Sequence, residues 1–71
     1  MLKGKVNWFN DLKGYGFISS NDLPDVVFVR FPDICAPGYR TLKKGDEVIF
    51  DIEKSSVGVK ATNVMKMETS Y

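Results

Sequence analysis

At 71 residues the chain has room for a single domain over residues 1–71, and a chain this short buries only about 60% of the surface its unfolded form exposes. Its 44% hydrophobic and 27% charged content excludes a disordered polymer, and a net charge of +1, ten Lys and Arg against nine Asp and Glu, excludes reliance on the strongly basic surface that duplex binders use. With Cys35 as its only cysteine and no histidine, one chain cannot build a disulfide or a thiolate or imidazole metal site, and it lacks the commonest general base.

The chain opens on MLKGKVNWFN, which has no apolar core of the signal-peptide kind, and no later run approaches the length of a membrane span. A cytoplasmic protein without membrane association is expected. Short runs rich in β-branched and aromatic residues alternate with clusters of Gly, Pro, Asp and Asn, and none keeps the spacing of an amphipathic helix. Five strands are predicted, over residues 5–10, 15–20, 26–30, 47–54 and 59–67, the first three forming a meander. Turns fall at 11–14, 21–25 and 55–58, and turn chemistry accounts for Asp11, Asp22, Asp25, Ser55 and Ser56 without a metal or catalytic role.

The stretch 32–46 is long for a connection within a compact domain. Pro32 is expected to end the third strand, Asp33, Ile34 and Cys35 to form one helical turn, and Pro37 and Gly38 to form a second turn. Leu42 is expected to anchor the segment to the core. Period-two alternation turns Ile18, Val27, Val29, Val48, Phe50 and Ile52 inward. Five short strands with no helical layer can bury that face only by curling the sheet on itself, so an all-β, five-stranded antiparallel barrel is predicted.

With Ile18 inward, Tyr15 and Phe17 share the outer face of the second strand, and Gly16 between them keeps the inner side small. Val27 and Val29 inward send Phe28 and Arg30 outward beside them. A single aromatic residue in a strand is more often core than platform. Three in register, on a chain with no second layer to cover them, mark a binding site. Interleaved with Lys3, Lys5, Lys13, Arg30 and Lys60, these rings suit unstacked bases and their phosphates, each stacked base contributing about 1–3 kcal/mol. Single-stranded RNA and DNA are the expected partners. No cofactor and no reaction are required, and no phosphate-binding glycine loop or nucleophile motif is present.

The run Lys13, Gly14, Tyr15, Gly16, Phe17, Ile18 resembles the first ribonucleoprotein motif. Preceded by Gly4, Lys5, Val6, Asn7, Trp8, Phe9, Asn10 and followed by Val27, Phe28, Val29, Arg30, Phe31, it is similar to bacterial cold shock proteins along nearly its whole length. That resemblance implies an oligonucleotide-binding (OB-fold) barrel and single-stranded RNA and DNA binding with weak sequence preference. It also implies RNA chaperone activity that melts weak secondary structure. By motif position it implies Trp8, Tyr15, Phe17, Phe28, Phe31 and Tyr39 as stacking residues, with Lys13 and Lys60 beside the strand. Strict alternation from Val6 instead points Trp8 inward, so its exposure requires a bulge in the first strand.

The chain departs from the family pattern where Arg30 replaces a histidine, Val26 an acidic residue and Asn7 a lysine, and where Val57 and Val59 stand at common Arg and Pro positions. Arginine keeps a flat stacking surface and a permanent charge, whereas the other changes remove charge from the face. A second reading starts from Ile49, outward on the fourth strand, and from the altered second motif. It makes the surface one for protein association or a strand-exchanged dimer, with 32–46 as hinge, where the first reading expects a monomer.

Overall fold

The fold was obtained as a computed structural model, which describes residues 1–35 and 42–67. Its strands are β1 (Leu2–Asn10), β2 (Tyr15–Ser19), β3 (Val27–Arg30), β4 (Glu47–Ser55) and β5 (Gly58–Lys66). They close into a barrel in the order β1-β2-β3-β5-β4. The all-β, five-strand expectation therefore holds, and β1, β2 and β3 form the expected antiparallel meander. One pairing differs from the prediction of a wholly antiparallel sheet: β3 meets β5 in parallel, with Phe28 opposite Lys60. The cause is topological. The connection after β3 carries the chain to the far edge of β1, where β4 pairs antiparallel, and β5 returns in the direction of β3.

The core follows the alternation. Val6, Ile18, Val27, Val29, Ile34, Leu42, Val48, Phe50, Ala61 and Val64 are buried together, with Leu42 anchored as expected. Ile52 is a correction of degree, since it packs against this cluster but is only half-buried, next to exposed Glu53 and Lys54. Gly4, opposite Val48 across the β1–β4 pair, has no room for a side chain. A Cβ there would lie 2.8 Å from Ile18 Cγ2 and 2.9 Å from Phe50 Cε1.

Two irregularities bend the strands enough to close a barrel this small. In β1 the register against β2 shifts between Val6 and Trp8, so Asn7 is the extra residue. In the β4–β5 pair it shifts between Ile49 and Asp51, and Asn63 on β5 takes a left-handed φ of 50°. Asn63 Nδ2 donates to Asp51 Oδ2 at 3.3 Å across that shift. The helical turn lies at Phe31–Asp33 rather than over Asp33, Ile34 and Cys35. Pro32 suits the first turn of a helix, where its missing N–H is no loss, so the turn starts as soon as β3 ends. Ile34 and Cys35 then extend along β5, Cys35 N–H donating to Val64 O at 2.7 Å, which seats Ile34 under the barrel. Pro37, Gly38 and Tyr39, for which a turn and a stacking role are expected, lie outside the described residues.

Candidate nucleic-acid interface

The Asn7 bulge decides the geometry of the outer face. Val6 points inward opposite Ile18, and without the shift Trp8 would follow it two residues later. The extra residue instead brings Trp8 opposite Phe17 and turns it outward, 43% exposed. Phe9 then faces Gly16 on the inner side and packs against the core. Asn7 itself stays at the surface, where its Oδ1 accepts a hydrogen bond from Ser19 Oγ at 2.8 Å.

Four rings meet on this face. Trp8 stacks on Phe17 at 6.2 Å between centroids and 27° between planes, and meets Tyr15 edge-on at 5.4 Å. Phe28 lies 5.8 Å from Phe17 and 5.7 Å from Tyr15. Tyr15 and Phe17 are themselves perpendicular, 6.5 Å apart. Each ring props its neighbours while one face or edge remains open. Tyr15, Phe17 and Phe28 are half-buried, so the patch is a fixed surface and not three loose side chains.

The face is bordered by the other expected residues that the structure describes. Phe31, about half exposed, packs over Gly14, whose φ of 73° disfavours a side chain and where a Cβ would lie a tight 3.0 Å from Phe31 Cδ1. Phe31 N–H donates to Gly14 O at 2.8 Å, tying the β1–β2 turn to the end of β3. Asn10 shapes that turn by accepting from Lys13 N–H at 2.9 Å, which leaves the Lys13 side chain in solvent. Arg30 is exposed and lies opposite Tyr15. Lys60 reaches the face through its pairing with Phe28, but its Nζ lies 3.7 Å from Glu53 Oε1. An exposed pair of that kind is weak, so Lys60 can exchange its partner at little cost.

Of the expected positions, Trp8, Tyr15, Phe17 and Phe28 form one cluster, and Lys13, Arg30, Phe31 and Lys60 surround it. The Asn7–Ser19 pair is not anticipated from the sequence, because it depends on the cross-strand bulge that sets Asn7 at the surface. Val26 is exposed at 47% beside β3, and Val57 at 94% at the β4–β5 turn, both without charge. Among the described residues no cluster of His, Cys, Asp or Glu has the grouping of a metal site, and no helix is long and apolar enough to cross a membrane.

The 'cold-shock' DNA-binding domain family matches residues 2–67. Cold shock protein CspB of Bacillus caldolyticus is 48% identical over 67 residues, which cover 94% of this chain and 100% of that protein. The cold shock-like protein of Aquifex aeolicus is 47% identical over 63 residues, 89% of this chain and 90% of its own length. Among solved structures, Drosophila Unr CSD456 superposes with a TM-score of 0.79 at 18% identity over 94% of this chain, which spans 26% of that longer chain; this likeness is one of fold. Relatives of similar length, matched over nine-tenths or more of their own chains at nearly half the aligned residues, agree with the barrel and its ring face in a single conclusion: this chain belongs to the 'cold-shock' DNA-binding domain family.

Proposed function

We propose that the protein binds single-stranded RNA and DNA by stacking bases on Trp8, Tyr15, Phe17, Phe28 and Phe31, and on Tyr39 as the family motif implies. Lys13, Arg30 and Lys60 then hold the phosphates. The observation that carries this reading is the four-ring cluster exposed on one face of the barrel. A duplex hides its base faces and cannot use such a surface, whereas a melted strand can. Binding therefore competes with weak base pairing, which is the action of an RNA chaperone, and needs no reaction or cofactor. It takes place in the cytoplasm, with one monomer carrying the whole interface. The association reading has less support, because Ile49 is half-buried between Lys3 and Met65 on neighbouring strands.

The test uses Trp8, the only tryptophan, as reporter. Short pyrimidine-rich single strands should quench its emission, and duplex of the same sequence should do so far less. Unchanged emission at moderate salt would falsify the stacking reading. Three phosphate contacts imply a slope of log affinity against log salt near −2, because each single-strand contact contributes about −0.7. A slope several times steeper would assign the affinity to charge instead.

The site should also be nearly indifferent to pH. Histidine is the side chain whose ordinary titration falls near neutrality, none is present, and arginine keeps its charge throughout that range. The dissociation constant should vary by less than about twofold between pH 6 and 8. A steep loss of affinity across that range would count against Arg30 as the residue that takes the histidine's place at the site.

A further inference from the structure

Beyond the ring face the same surface continues into a groove of about 580 Å³ with a different lining. Ser19 follows Phe17 by two residues on β2 and so lies on the same face, roughly 7 Å further along. Across the strands Ser19 is opposite Lys5, and Lys5 is opposite Glu47. Lys3, Asp22 and Met67 also line it. Met67 N–H donates to Glu47 O at 2.8 Å, which seats it at that wall. The volume falls within the range of about 300–1,000 Å³ found for ligand sites.

The groove brings charges of both signs together. Lys3, Lys5, Asp22 and Glu47 all line it, and among the described residues none of the four is held in an ion pair, so all are available to a ligand. Two ammonium and two carboxylate groups sum to zero, so a bare phosphate gains little here. A group that presents donors and acceptors on one rigid plate can use both signs. Guanine does so, offering O6 and N7 to lysine and its N1–H and N2 amino group to a carboxylate. The Met67 thioether supplies a soft apolar contact for a base face.

We infer that this groove takes one further nucleotide of the strand held on the ring face, and that it favours guanine there. The inference rests on the stacking reading, since Asn7 and Ser19 join the groove directly to Trp8 and Phe17.

Titrations of Trp8 emission would compare a thymidine hexamer with the same hexamer extended by one dG, at either end. One of the two extensions should improve affinity about fivefold, the low end of what a good base-edge contact contributes. Deoxyinosine, which stacks similarly but lacks the N2 amino group, should lose much of that gain, and an abasic unit all of it. The double variant Asp22→Asn, Glu47→Gln should abolish the gain and leave hexamer affinity unchanged. An equal gain from the abasic unit, or a dG gain that survives in the double variant, overturns the assignment. A hexamer that binds with no gain from dG at either end overturns the groove alone. A hexamer that does not bind at all overturns the ring-face reading and the groove with it.

Discussion

Replacing Phe17 with leucine should weaken binding of a pyrimidine-rich single strand by roughly tenfold while the domain remains folded. Phe17, like Tyr15, touches all three other rings of the face and lies within 6.5 Å of Trp8, Tyr15 and Phe28. Alanine there would remove both the stacking surface and the packing that fixes its neighbours, and the two losses would be confounded. Leucine keeps most of the apolar volume and discards only the flat π surface. The lost stacking should cost on the order of 1–3 kcal/mol, or about fivefold to a hundredfold in affinity. The lost ring pairs cost stability on the order of 1 kcal/mol. Fluorescence titration alongside a thermal melt separates the effects. Wild-type affinity in the leucine variant would mean that bases do not stack at Phe17, and the interface would have to be rebuilt around charge. The same substitution at Phe50, wholly buried on the inner side, should do the reverse and lower stability without a direct effect on binding.

That contrast between inside and outside is legible in the sequence wherever one strand obeys a period of two. Ile18, Val27, Val29, Val48 and Phe50 are buried as their alternation requires, and Tyr15, Phe17 and Phe28 occupy the opposite face for the same reason. Trp8 is different. Its direction depends on whether β1 carries an extra residue opposite β2, and that is a property of the pair of strands, absent from either alone. Alternation sends it inward, family resemblance sends it outward, and the bulge at Asn7 explains why the resemblance is correct. The parallel closure of β3 on β5 is hidden in the same way, because it follows from where the chain re-enters the sheet after β3. Ile52 differs in degree for a simpler reason: alternation gives a direction but not the depth of burial. The polar groove beyond Ser19 is assembled from β1, β2, β4 and the chain after β5, so no local pattern announces it.

The bulge makes a second and larger prediction, centred on Gly16. This residue is buried opposite Phe9, directly beside the register shift. A Cβ at Gly16 would run into the Trp8 carbonyl oxygen and lie 2.7 Å from Phe9 Cδ1 and 2.8 Å from Phe9 Cα. Two of those three atoms are backbone and cannot rotate away, so relief requires β1 and β2 to separate where the bulge turns Trp8 outward. Overpacking of this kind costs about 3 kcal/mol or more when the neighbours are rigid. A domain of this size has only about 4–11 kcal/mol in total. Gly16→Ala should therefore lower the melting temperature by roughly 10–20 °C. Gly45→Ala is the matching control. Its φ of 91° also disfavours a side chain, but nothing lies within 4 Å of the new Cβ, so only backbone strain of about 1–2 kcal/mol applies. Equal losses in the two variants would show that close approach at Gly16 is not what holds β1 against β2. With the expected difference, Gly16→Ala should also change Trp8 emission below its melting temperature, because the strands that part are the ones that press Trp8 onto Phe17. The glycine between the two outer rings then has a double role: its missing side chain lets Phe9 into the interior, and that packing holds the bulge on which the outward turn of Trp8 depends.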